Sequence, residues 1–153
     1  MNDSLFVDTN ILVYYRDSSD PEKQKIAEDW MTEIWKNKLG RISYQVLNEY
    51  YVTVTRKLDP GLQPQAARLD IKNLMEWDPV VVDKKLIENG WIIQDQYKFS
   101  WWDSLIIAAA QKANCSILLS EDLQHRQKIE NLTIIDPFKT GIDSIIQSED
   151  SSK

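Results

Sequence analysis

One cysteine and one histidine among 153 residues remove two chemistries at once. A single thiol, Cys115, cannot close an internal disulfide, so the chain reads as a protein of the reducing cytoplasm. With His125 as the sole imidazole, a thiolate–imidazole nucleophile has no second candidate for either partner, which argues against thiol catalysis. Long apolar runs are also missing. The longest, Leu105 to Ala110, is far short of the roughly 20 residues that span a bilayer, so no membrane partner is expected. Met1-Asn2-Asp3-Ser4 places no basic residue before the first apolar stretch, and no secretory signal is expected. There is no repeat and no low-complexity segment outside the tail. The length suits one domain that buries about 70% of its unfolded surface. Positive charge is scarce as well: 18 Lys and Arg against 24 Asp and Glu leave a net charge of −6. That balance counts against a basic phosphate-binding face. The argument weakens if several acids share one metal site, because bound divalent cations would reverse the local sign. The bases are unevenly spread, with Arg56 and Lys57 in one place and Arg126 and Lys128 in another; solvated faces explain them equally well.

What is present is an alternation of apolar strands and helical stretches, the pattern of an α/β fold with a mainly parallel sheet. Strands are expected at Leu5 to Val7, Arg41 to Ser43, Pro79 to Val82, Ser116 to Leu119 and Leu132 to Ile135. Between them, helices are expected over Asn10 to Arg16, Pro21 to about Lys38, Val46 to Lys57, Gln63 to Trp77, Lys84 to Tyr97 and Ser100 to Ala113. Asp20-Pro21 reads as a cap followed by proline at the first helical position. Val46, Leu47, Tyr50, Tyr51, Val54 and Leu58 mark one apolar face of the third helix. Residues 1–138 form the expected domain. Residues 139–153 form a tail that opens with a helical turn near Ile142 and is disordered from Ser148 to Lys153.

Four acids stand at places where such a fold gathers function. Asp8 and Asp122 follow apolar strands, Asp103 opens the run that leads to the second of them, and Glu49 lies on the helix after the short strand at Arg41. Functional groups in open α/β sheets collect at the carboxyl ends of the strands. Taken singly, each acid has a plain structural role. Asp8 suits an N-cap, Ser100-Trp101-Trp102-Asp103 suits a capping box, Ser120-Glu121-Asp122 suits a turn, and Glu49 suits an exposed helix face. Taken together they repel: two like charges at ~4 Å cost on the order of 4 kcal/mol at an effective dielectric near 20. A divalent cation with hard oxygen ligands, Mg²⁺ or Mn²⁺, resolves that repulsion and suits phosphodiester hydrolysis by water.

Phe6-Val7-Asp8-Thr9-Asn10-Ile11-Leu12, Val46-Leu47-Asn48-Glu49-Tyr50-Tyr51, Trp102-Asp103-Ser104-Leu105-Ile106 and Leu118-Leu119-Ser120-Glu121-Asp122-Leu123-Gln124-His125 resemble, in order, the motifs of PIN-domain ribonucleases. The resemblance covers roughly residues 4 to 137 and is nearest to the VapC-type toxins of bacterial toxin–antitoxin pairs. It implies a three-layer fold with a five-stranded, mainly parallel sheet flanked by helices, assembled as a homodimer. It implies metal ligation by Asp8, Asp103 and Asp122, with Glu49 completing the acidic pocket. Thr9, Asn10 and Ser120 match positions that hold the acids or a water by hydrogen bonds. Arg126 departs from the pattern, which has glycine after the histidine, and this puts the shape of that loop in question. The activity implied is a Mg²⁺- or Mn²⁺-dependent endoribonuclease acting on transfer or ribosomal RNA and held inactive by a small antitoxin whose basic tail enters the acidic cleft.

Other readings stay open at this point. A phosphatase of the haloacid-dehalogenase type needs a second acid two residues after the first, and Asn10 stands there. A catalytically silent binding module of the same fold and a DNA-directed nuclease share all four acids. Trp101 or Trp102 is a candidate base-stacking residue, with core packing the alternative for at least one. Trp30, Met31, Ile34 and Trp35 form either a partner groove or core, and His125 either touches RNA or is an ordinary loop residue.

Overall fold

Strands buried on both faces must be apolar at every position, because no face is left for water. Two segments meet that demand completely: β1 (Leu5–Val7) and β3 (Ile117–Leu119), in which every residue is buried. The computed structural model describes residues 4–145 and pairs these two strands in parallel, Leu5 with Ile117 and Val7 with Leu119. Beside β1 lies β2 (Gly40–Arg41), also parallel, and beside β3 lies β5 (Leu132–Ile135), again parallel. A short β4 (Lys128–Ile129) closes the far edge antiparallel to β5, giving the order β2-β1-β3-β5-β4. The sheet is therefore five-stranded and mainly parallel, with helices over both faces of its centre.

The expected strand over Pro79 to Val82 is not part of this set. Only Val80 reaches the sheet, through a single parallel bridge to Ser43. Pro79 has no N–H to donate, and Val81 and Val82 are exposed, so nothing buries a longer pairing there. The fifth strand is instead the polar Lys128–Ile129, too short to show periodicity. The helical turn expected near Ile142 is present over residues 142–145, and Ile142 is buried in the core. The expected disorder of Ser148 to Lys153 lies outside the described residues.

The helices begin where their capping residues place them. Asp8 precedes α1 (Thr9–Arg16), and Asp20 accepts from Lys23 N ahead of α2 (Pro21–Lys36), whose first residue is proline. Ser43 caps α3 (Tyr44–Val52), which widens into a π-helical turn over Thr53–Lys57. Then follow α4 (Pro64–Leu74), α5 (Lys84–Tyr97), capped by Asp83, and α6 (Trp101–Lys112), capped by Ser100. Helix α1 packs on α2 and α3, while α5 packs on α6.

The chain runs outward from β1 to β2 and then returns to the other side of β1 as β3. That reversal opens a crevice at the carboxyl ends of β1 and β3, the place where α/β sheets take their ligands. Asp8 and Ser120 are the residues immediately beyond those two strand ends.

Two contacts away from the crevice fix the covering helices. The Arg16 guanidinium donates to both oxygens of Asp70, at 2.9 and 2.6 Å, and Tyr50 Oη donates to the same carboxylate at 2.5 Å. This joins α1, α3 and α4 through one carboxylate, and Tyr50 is only 2% exposed. At the β2 edge the Trp77 indole lies flat over Gly40: a Cβ there would stand 2.4 Å from its Cε2 atom. Trp77 cannot yield easily, since it is itself packed on Trp35 with ring centroids 4.8 Å apart.

Asp70→Ala strands a buried tyrosine hydroxyl and removes a bidentate pair, so it should lower unfolding free energy by about 2–4 kcal/mol in urea titration. Gly40→Ala should cost about 1–3 kcal/mol through overpacking against Trp77. A midpoint unchanged by either substitution would remove that contact from the account.

Candidate active site

Asp8 is the buried centre of the crevice. One of its oxygens accepts from Thr9 N at 2.7 Å and the other from Ser120 Oγ at 2.8 Å. Burial pushes its carboxyl up from 3.8 to about 7, against those two hydrogen bonds, and the charges of Glu49 and Asp103 push it further the same way. The structure thus brings Glu49 and Asp103 within the field of Asp8. None of Asp8, Glu49, Asp103 and Asp122 is ion-paired among the described residues.

Each neighbour is held by a residue of the same motifs. Thr9 Oγ1 donates to Glu49 at 2.6 Å, bringing α3 against the start of α1. Asn10 Nδ2 donates to Asp122 at 2.9 Å, joining α1 to the loop after β3, while Asn10 Oδ1 accepts from Glu121 N at 3.4 Å. Ser100 Oγ accepts from Asp103 N at 3.1 Å, so serine is the cap and the Asp103 carboxylate accepts no hydrogen bond among the described residues. The capping-box alternative for Asp103 thus loses its reciprocal half.

These groups border an open cleft of about 710 Å³ lined by Thr9, Asn10, Tyr14, Glu49, Lys57 and Asp122, among others. A smaller cavity of about 150 Å³ lies around Arg16 and Asp70, away from the four acids. Among the described residues, no three Asp, Glu, His or Cys side chains are gathered tightly enough to hold an ion as they stand. Glu49, Asp103 and Asp122 line the cleft, whereas Asp8 is buried and is not part of its lining. Their chemistry nevertheless fits a hard divalent cation: carboxylates and hydroxyls only, and a buried carboxylate that lacks a counter-charge.

Several residues left open by the sequence are resolved by their contacts. Burial pushes the Cys115 thiol up to about 12, which leaves it inert as a nucleophile. His125 Nδ1 accepts from Asp136 N at 2.9 Å, so the imidazole anchors the end of β5. Arg126 adopts φ 70°, the left-handed geometry that glycine takes without cost, and its N–H still reaches Ile134 O. The loop keeps the shape that the expected glycine would allow. Trp30, Met31 and Ile34 are core, with Trp30 Nε1 donating to Pro137 O; only Trp35 is partly open.

Glu121 and Tyr14 line the cleft without having been singled out in the sequence. Glu121 accepts from Tyr14 Oη at 2.9 Å and is ion-paired with Lys23, forming one wall. A signal for that wall existed: Asn10, Val13, Tyr14 and Asp17 recur at i, i+3, i+4 and i+7, one face of α1 and its cap. All four line the cleft.

The family model for the PIN domain matches residues 5–130. A toxin–antitoxin complex from Klebsiella pneumoniae is similar in structure, with a TM-score of 0.59 and 19% identity, over 88% of this chain and 97% of that one. So is VapC20 of Mycobacterium tuberculosis, a sarcin-ricin loop cleaving toxin, with a TM-score of 0.56 and 18% identity, over 75% and 87% of the two chains. At these identities the likeness is one of fold. No curated protein matches the chain.

The cost of the Asp8 charge has a pH signature. Folding raises this carboxyl from 3.8 to about 7, so between those values the native state binds more protons than the unfolded chain. The stabilisation from the bound proton is complete below 3.8 and is lost as pH rises through about 7, on the order of 4 kcal/mol at most. With a chelator present, Asp8→Asn should therefore gain thermal stability relative to the parent between pH 5 and pH 8. A parent–variant difference that does not change with pH would mean the charge is not penalised.

Proposed function

Because the chain belongs to the PIN domain family, we propose that it is a cytoplasmic, metal-dependent endoribonuclease and the toxin of a type II toxin–antitoxin pair. The observation that carries this reading is Asp8: a carboxylate buried behind Ser120 and Thr9, facing Glu49 and Asp103, with no cationic partner among the described residues. One similar structure is named as a toxin–antitoxin complex and the other as a sarcin-ricin loop cleaving toxin, which supports the toxin reading; transfer or ribosomal RNA is the substrate class proposed with it.

In this reading Asp8, Asp103 and Asp122 would hold Mg²⁺ or Mn²⁺, with Glu49 completing the acidic set. When bound, such an ion supplies Lewis-acid charge at a phosphoryl oxygen and lowers the pKa of a coordinated water. The chain's own side chains set the stage. Ser120 and Thr9 N aim the Asp8 oxygens, Thr9 Oγ1 holds Glu49, and Asn10 holds Asp122. Lys57, which also lines the cleft, would supply positive charge for a backbone phosphate. No side chain serves as nucleophile. Water attack on phosphorus with departure of the 3′-oxygen leaves a 5′-phosphate and a 3′-hydroxyl.

The acidic cleft also suits inhibition by an antitoxin. An arginine or lysine from a small partner would pair with these carboxylates, and arginine can do so bidentately. A homodimer belongs to the same reading, for which exposed Trp91 and Ile92 on α5 offer an apolar surface.

Purified protein incubated with defined transfer and ribosomal RNAs should cleave them with Mn²⁺ or Mg²⁺ and stop on addition of chelator. Asp103→Asn should lower the rate by about 100-fold or more with unchanged circular dichroism. Expression of the chain alone should arrest growth, and co-expression of the proposed antitoxin, sought as a small protein encoded beside it, should relieve the arrest. Absence of both cleavage and arrest would favour a silent binding module of the same fold.

A further inference from the structure

The tandem Trp101-Trp102 divides into two different roles. Trp101 is half-buried, lies with its ring centroid 6.3 Å from that of Trp91, and packs on Gly90, where a Cβ would stand 3.1 Å from the indole. It is a packing residue between α5 and α6. Trp102 is 61% exposed and has no aromatic or cation–π partner among the described residues. Leaving so large an apolar surface in water forgoes the burial that its neighbour obtains.

Its position is nevertheless fixed. Trp102 precedes Asp103 in the first turn of α6, and its carbonyl accepts from Gln45 Nε2 at 3.3 Å. The same Gln45 amide donates to Glu49 Oε2, also at 3.3 Å. The backbone that carries the free indole is thereby tied to an acid of the cleft on one side and continuous with another acid on the other. A tied backbone, an open aromatic face and a place in the chain next to Asp103, which lines the 710 Å³ cleft, are the components of a stacking platform beside a reacting phosphate.

We propose that Trp102 is a substrate-positioning residue that stacks an unpaired RNA base next to the scissile phosphate. The inference rests on the nuclease reading and deepens it by assigning one side chain: Trp102 requires an unpaired base beside the cut, because a base paired within a duplex does not offer its face. Since stacking needs only a π-face, Trp102 sets the requirement for an unpaired base and not the identity of that base.

The test has two arms, so that failure of the nuclease reading and failure of this inference are distinct. In the first, a fluorescently labelled short single-stranded RNA is titrated with the full chain in chelator, where no cleavage occurs. Trp102→Ala should weaken binding by about ten-fold or more and Trp102→Phe should restore most of it, as expected for one stacked base. Duplex RNA of the same sequence should bind weakly to parent and variant alike. In the second, with Mn²⁺ present, an abasic nucleotide is walked through a cleavable strand. One position beside the cut should raise KM for the parent and leave Trp102→Ala, whose KM is already raised, unaffected. The proposal is overturned if the parent binds no single-stranded RNA, if Trp102→Ala binds as tightly as the parent, or if parent and variant respond equally to every abasic position. It is also overturned if Trp102→Ala changes only the sedimentation coefficient, which would assign the indole to contact between copies.

Discussion

The Asp8 carboxylate ends a strand with no solvent on either face, and the two hydrogen bonds it receives do not offset the loss of water. Its charge is disfavoured there, and the charges of the acids Glu49 and Asp103 add to the penalty. The surrounding polar architecture responds to that constraint. Ser120, fully buried at the end of β3, gives its hydroxyl to Asp8, and Thr9 serves twice, by its N–H to Asp8 and by its hydroxyl to Glu49. The penalty is relieved when Asp8 is protonated, and a bound cation would relieve it when Asp8 is charged.

The fold places these groups with little sequence. Reversing the strand order between β2 and β3 puts two strand ends side by side, and each is followed by a site residue with no loop between. Helix α3 starts from Ser43, just past β2, so that Glu49 comes forward within two turns. Helix α6 starts with Asp103 in its first turn and runs directly into β3, where Ser120 ends the strand. The contacts that hold the outer helices, Arg16 and Tyr50 on Asp70 and Trp77 on Gly40, lie elsewhere. These contacts act on stability without involving the four acids, whereas Asp8 couples the site to stability through its own buried charge.

The legible part of the sequence was the part with strong local signals. Leu5–Val7 and Ile117–Leu119 announce buried parallel strands, Asp20-Pro21 and Ser100 announce helix starts, and the acids at their ends follow by topology. Lys128–Ile129 was not legible, because two residues carry no periodicity and their pairing is set by the neighbouring strand. Pro79 to Val82 misled for the converse reason: a β-branched run has strand propensity wherever it lies, but tertiary context left Val81 and Val82 in water. Glu121 was hidden by its place between Ser120 and Asp122, and only the face shared by Asn10, Val13, Tyr14 and Asp17 pointed to that wall. The two adjacent tryptophans could not be separated by sequence, since what distinguishes them is Trp91 stacking on the first and nothing stacking on the second.

The central claim is that the buried Asp8 carboxylate takes its counter-charge from a divalent cation. Calorimetric titration of the chelator-treated protein with Mn²⁺, set beside the same titration of Asp8→Asn, tests it most directly. The parent should bind Mn²⁺ saturably, and the variant should lose that binding or weaken it about 100-fold. Equal Mn²⁺ affinity in the two proteins, or no binding by the parent, would contradict it.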